Sequence, residues 1–118
     1  MGDIRELTEK VNKIRDDRDW RKFTNPKDLA LSLVLEVAEV LEHFQWKSPE
    51  EIKDHIARNR VKLGEELADV AIYVLELASD AGIDLKEAVE DKLKKVEIKY
   101  PIGEWKGKHS NKYDHDKS

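Results

Sequence analysis

Cysteine is absent from this 118-residue chain, which excludes disulfides and thiolate metal sites. Glycine and proline are scarce, at five and three residues, and no low-complexity stretch, repeat or linker divides the sequence. There is no surplus of positive charge: 22 lysines and arginines face 26 acidic residues, for a net charge of -4. That balance gives no general attraction to a nucleic-acid polymer or an anionic membrane. No acidic or basic tail stands out, because the two signs are mixed along the chain. The N-terminus is charged from Asp3 and lacks the apolar core of a signal peptide. The longest apolar stretch is too short and too charged to span a bilayer. These absences predict a soluble, cytoplasmic protein of one domain, large enough to bury a core.

What is present is organised around Leu29 to Trp46, LALSLVLEVAEVLEHFQW. At about 100° per residue, a helix here puts Ser32, Glu36, Glu39 and His43 on one stripe, with leucine, valine and alanine around most of the rest. A helix apolar on nearly every side is ordinarily buried, whereas carboxylates are seldom buried without a partner. That conflict is the main functional signal.

Along the chain, Ile4, Leu7, Val11 and Ile14 predict a first amphipathic helix that runs out in the charged cluster Arg15-Asp16-Asp17-Arg18-Asp19. WRKFTNP reads as an ordered loop, with Trp20 and Phe23 packed on neighbouring structure. Asn25 caps the central helix, with Pro26 at its first position. Ser48-Pro49-Glu50-Glu51 carries a capping-box pattern that starts another helix. A second acidic pair, Glu66 and Asp69, comes level with the first across an antiparallel turn only if its helix begins near Asn59. Residues 49–57 therefore form a separate short helix, followed by a second core helix over about 60–80. Gly82 ends it, and Leu85, Val89, Leu93 and Val96 predict a further helix stopping before Tyr100-Pro101. The domain is expected over 1–102, with 103–118 a mobile tail by composition. The fold class is all-α, a bundle of four to five helices.

Lys62, Glu66, Asp69 and Tyr73 share a stripe on the second core helix, so each core helix presents two carboxylates to one side. Four like charges brought together need neutralising, either by raised pKa values with shared protons or by a bound cation. Oxygen-only ligands favour a hard ion, Mg²⁺ or Mn²⁺, over zinc. Such an ion keeps waters that phosphate oxygens replace, which suits a di- or triphosphate substrate and hydrolytic attack at phosphorus. The structural alternative is two exposed i,i+3 acidic faces paired with lysines. A ferritin-like di-iron site needs glutamate–histidine pairs three apart, and the four-residue step from Glu39 to His43 does not supply one. His43 reads as a hydrogen-bonding neighbour of the acids.

The order E-x-x-E, spacer, E-x-x-D, together with RDWRKF, FQWKSPEE, EELADVAIYV and the late K-Y-P, resembles the MazG-like all-α nucleoside triphosphate pyrophosphohydrolases, closest to their dCTP pyrophosphatase branch. The resemblance runs from about Ile4 to Pro101, with a weaker echo over Ser110 to Tyr113. It implies hydrolysis of a (deoxy)nucleoside triphosphate between the α and β phosphates, with dCTP or a modified dCTP favoured and a role in cleansing nucleotide pools. It implies that Glu36, Glu39, Glu66 and Asp69 are Mg²⁺ ligands and that Glu36 or Glu39 activates the water. By the same resemblance Trp20, Arg21, Lys22, Phe23, Thr24, Trp46 and Tyr73 contact base and sugar, and Lys92 and Tyr100 lie near the phosphates or a subunit boundary. It also implies a homo-oligomer, dimer or tetramer, with sites built across subunits. Val11 and Val96 stand where the branch carries a histidine and an asparagine, and Leu35 and Ala38 where glycines are common. These departures bear on base and sugar selectivity, leaving dUTP, dATP or phosphoribosyl-ATP as other substrates. From a different class, a non-catalytic helical oligomer that binds metal-nucleotide or a protein partner fits the same apolar helix.

Overall fold

A computed structural model of the chain describes residues 2–108, and among them there is no strand. The order is α1 (Asp3–Asp17), a 3₁₀ turn (Arg21–Phe23), α2 (Pro26–Glu42), α3 (Pro49–Arg58), α4 (Arg60–Asp80), α5 (Leu85–Lys99) and a short α6 (Ile102–Trp105). The expected all-α fold and the break between α3 and α4 are both present.

Local chemistry accounts for the boundaries. Asn25 accepts the Asp28 backbone N–H at 2.9 Å, with Pro26 pre-set in the first turn of α2. Ser48 and Glu51 form a reciprocal capping box on α3, at 3.2 and 2.8 Å. At the end of α4 the Ile83 N–H reaches the Ala78 carbonyl at 2.8 Å and the Gly82 N–H reaches that of Ser79 at 3.1 Å. This is a Schellman close, and it needs the left-handed φ of 71° that Gly82 adopts. Asn59 precedes α4 as predicted, but its side chain makes no cap bond and turns to His55 instead.

Two expectations are corrected. The central helix does not continue to Trp46: it ends at Glu42, where the Phe44 N–H bonds the Leu41 carbonyl three residues back, tightening the last turn. Trp46 then takes a left-handed φ of 65°, and Ser48, ahead of Pro49, is extended. Trp20 and Phe23 do not pack into a core. Both are exposed, with Arg18 over the Trp20 ring at 5.5 Å and Lys22 over Phe23 at 5.3 Å.

The chain divides into two units, residues 1–85 and 86–118. In the first, α2 and α4 pack on one another while α1 and α3 lie against α4. Leu29, Leu75 and Ala78 are its buried apolar residues. Leu31, Val34, Leu35, Val37 and Leu41 of α2 are exposed, so the burial expected on nearly every side of this helix is not reached within this unit. In the second unit Val89, Leu93 and Val96 are exposed along one stripe of α5. There Trp105 meets Tyr100 edge-on at 4.8 Å. Of the predicted tail, residues 109–118 lie outside the described residues. No helix among those described is long and apolar enough to cross a membrane.

Candidate functional site

Antiparallel packing of α2 on α4 brings the two acidic pairs into one electrostatic neighbourhood. Glu36 shows it most directly. Its carboxyl is held above its ordinary pKa, first by desolvation, then by the charge of Glu39, of Asp69 and, more weakly, of Glu66. A side-chain hydrogen bond with Glu39 also favours the protonated form. Glu36 Oε2 is buried and has no hydrogen-bond partner. Glu39 and Glu66 line a cleft of about 210 Å³ together with Glu42, His43, His55 and Lys62.

His43 is nearly buried, 8% exposed, where α2 ends. Its Nε2 hydrogen-bonds Glu66 Oε2, and its Nδ1 lies 2.6 Å from Nε2 of His55 on α3. The reading of His43 as a hydrogen-bonding neighbour of the acids is thereby met. His55 has its pKa lowered by burial, then by the charges of Lys47 and His43.

The donor chemistry of the four acids fits a hard divalent cation: oxygen ligands only, one of them buried and unpartnered. Yet among the described residues no three histidine, aspartate or glutamate side chains are already gathered around one point as metal ligands. Mutual repulsion opposes such a cage in the absence of positive charge, and Glu66 is instead engaged by His43.

The residues that the resemblance assigns to base and sugar are dispersed. Arg21 is taken up by Asp16 at 2.6 Å and lies 3.5 Å from Asp80, and Lys22 pairs with Asp19 at 2.9 Å. Arg21 pairs with Asp16 of α1 and Asp80 at the end of α4, and Lys22 with Asp19 within the loop; none of these pairs reaches the four acids. Thr24 is exposed, its N–H directed to the Arg21 carbonyl at 3.4 Å. Trp46 is 92% exposed and Tyr73, on α4, is half-buried. Lys92 and Tyr100 belong to the second unit, where Lys99 lies over the Tyr100 ring at 5.4 Å.

Two features escaped the sequence reading. Arg15, counted among the charges where α1 runs out, is 4% exposed and donates to Asp80 through both terminal nitrogens, at 2.9 and 3.1 Å. His55 and Asn59 extend the row that begins at Glu66, while Lys62 lines the acidic cleft, as its place on the Glu66 stripe predicts. Only the i,i+4 step from Lys62 to Glu66 and the similar step from His55 to Asn59 hinted at contact.

The MazG-like family model matches residues 31–115, a span that contains all four acids. Dimensions of the match extend to named relatives. dCTP pyrophosphatase 1 from Bos taurus is 42% identical over 88 residues, covering 73% of this chain and 52% of that protein. The Homo sapiens protein of the same name is 42% identical over 87 residues, covering 72% and 51%. The chain thus spans about half the length of the curated relatives it matches. A crystal structure of a pyrophosphatase from Archaeoglobus fulgidus superposes with a TM-score of 0.78 at 43% identity, covering 86% of this chain and 94% of that one. With the acidic pairs, their helices and the matched span in agreement, this chain belongs to the MazG-like family.

Proposed function

We propose that the chain is a divalent-metal-dependent nucleoside triphosphate pyrophosphohydrolase, releasing the monophosphate and pyrophosphate, with dCTP or a modified dCTP as favoured substrate. The observation that carries this reading is the shared field of Glu36, Glu39, Glu66 and Asp69 around one buried, unpartnered carboxylate oxygen. The names of the similar proteins support the substrate class and the base.

Glu36, Glu39, Glu66 and Asp69 would hold Mg²⁺ or Mn²⁺. When bound, the ion supplies positive charge for the phosphate oxygens and the leaving pyrophosphate. Water forms the new bond to phosphorus while the α–β anhydride bond breaks, and a carboxylate of the first pair, Glu36 or Glu39, takes the proton. The exposed Trp46 face suits stacking on a base, as do Trp20 and Phe23. Tyr73, Lys92 and Tyr100 complete the proposed substrate contacts. Arg21 and Lys22 must exchange their present carboxylate partners to touch substrate, so in this reading they hold the loop until nucleotide arrives.

Pyrophosphate release from a panel of canonical and modified nucleoside triphosphates tests the assignment. Release confined to a few nucleotides, dCTP among them, and abolished by EDTA is the expected result. Nucleotide binding with no Mg²⁺-dependent release would transfer the reading to a non-catalytic oligomer.

A second copy of the chain is the proposed cover for α2. Val34, 63% exposed, sits among the uncovered apolar residues of that helix. Val34→Asp is expected to shift sedimentation from a multiple of 13.7 kDa toward the single chain, because a charge cannot be buried there without a partner. A wild-type chain that sediments as a monomer would overturn self-association.

A further inference from the structure

Glu66 stands at the end of a hydrogen-bonded row assembled from three helices. His43 closes α2, His55 lies on α3, Asn59 joins α3 to α4, and Glu66 is on the second turn of α4. His55 and Asn59 have no part in the chemistry proposed above.

The donor inventory of this row allows one arrangement. Asn59 Nδ2 lies 3.0 Å from the His55 carbonyl, which only accepts, and this fixes the amide with its nitrogen toward α3. The same nitrogen faces His55 Nδ1 at 3.3 Å, so Nδ1 accepts as well. A neutral imidazole has one N–H, which on His55 must then be Nε2–H, directed at His43 Nδ1 at 2.6 Å. His43 Nδ1 accepts in turn, leaving its Nε2–H to donate to Glu66 Oε2. The two rings meet edge-on with centroids 4.9 Å apart, and Phe44 lies 6.4 Å from His55 on the same side.

We infer that His43, His55 and Asn59 form a positioning relay that clamps one oxygen of Glu66 and so orients its carboxylate for a divalent cation. The inference rests on the reading of Glu66 as a metal ligand. A carboxylate already held at one oxygen has less rotational freedom to lose when its other oxygen binds, and outer partners of this kind commonly change metal affinity by about 10- to 100-fold. His43 is a positioning residue here, acting through Glu66.

Two measurements test it. Long-range ¹H–¹⁵N NMR on the metal-free wild type is expected to show Nε2–H on both His43 and His55. Nδ1–H on His43, or averaging of its two tautomers, would overturn the relay without any substitution. Mn²⁺ alone is then titrated, followed by electron paramagnetic resonance, into wild type, His43→Leu, His43→Gln and Glu66→Gln. His43→Leu is expected to weaken binding about 10- to 100-fold. His43→Gln, which keeps an N–H donor in reach of Glu66, is expected to recover most of that loss. Loss in Glu66→Gln with wild-type affinity in a folded His43→Leu would overturn the relay and leave the metal reading standing. Unchanged affinity in Glu66→Gln would overturn that reading, and the relay with it.

Discussion

Glu36→Gln is expected to raise the melting temperature of the metal-free protein while lowering pyrophosphate release by roughly 10²- to 10⁴-fold, the usual span for loss of a positioned proton acceptor. The two effects have one cause. In the metal-free fold the Glu36 carboxyl is held above its ordinary pKa by desolvation and by Glu39, Asp69 and Glu66. A carboxyl with a raised folded pKa contributes stability below its unfolded pKa and loses it as pH rises through the folded one. Above the ordinary carboxyl range the raised value therefore works against folding, and a neutral amide of nearly the same shape relieves that cost. Adding Mg²⁺ reverses the order: wild type gains stability by binding, and the variant, short of a ligand, gains less. Thermal denaturation in EDTA and in Mg²⁺, alongside pyrophosphate release, reads both signs. Glu39→Gln and Asp69→Asn are expected to abolish turnover in the same way with the fold retained. A folded Glu36→Gln chain with full activity would remove the acidic site from the mechanism, and one less stable than wild type in EDTA would contradict the repulsion.

That the two acidic pairs face each other is legible in the sequence, because helix geometry leaves little choice. Two carboxylates three residues apart share a face, and the requirement that two such pairs face each other put a break at Asn59, where α3 gives way to α4. The caps at Asn25 and Ser48 were legible for a similar reason: each is decided by neighbours within four residues. What failed depended on distant partners. Asn59 stands at the start of α4 where the register placed it, but its amide goes to His55 one turn earlier and does not cap the helix. The FQW run looks like more helix, yet the Phe44 N–H takes the Leu41 carbonyl and the chain leaves the helix at His43 before the extended Ser48-Pro49. Trp20 and Phe23 were expected to pack on neighbouring structure, an expectation that fails where aromatic surface is left exposed. Arg15 carries no local sign of burial, since a charge in a charged cluster looks like solvated surface until Asp80, 65 residues away, is beside it.

That arginine is the site of the largest expected loss of stability. Arg15 donates to both carboxylate oxygens of Asp80 and, at 2.7 Å, to Asn12 Oδ1, while Asn12 Nδ2 reaches Ser79 Oγ at 2.9 Å. The network fastens α1 to the last turn of α4. Asp80 is held below its ordinary pKa by the Arg15 hydrogen bond, and the charges of Arg15 and Arg21 add to it against partial desolvation. Arg15→Met leaves that carboxylate beside an apolar chain, and removing one partner of a buried pair costs about 3–5 kcal/mol. The lower end is expected, because Arg21 remains 3.5 Å from Asp80. A depressed carboxylate pKa gives stability above the unfolded value that is lost as pH falls through the folded one, so wild type and variant should converge below about pH 4. Urea denaturation as a function of pH measures both the gap and its closing. A double Arg15→Met, Asp80→Leu chain should be more stable than Arg15→Met alone, since no unpaired charge remains. The effect reaches the proposed nucleotide loop as well: the Arg15 carbonyl accepts the Trp20 N–H at 2.9 Å, and Arg21 shares Asp80. Loosening the arginine should therefore raise KM for nucleotide more than it lowers kcat, since the four acids lie on α2 and α4 and keep their own contacts. A fall in kcat at constant KM would instead mean that Arg15 supports the acidic helices, and that Trp20 to Thr24 contributes nothing to holding the substrate.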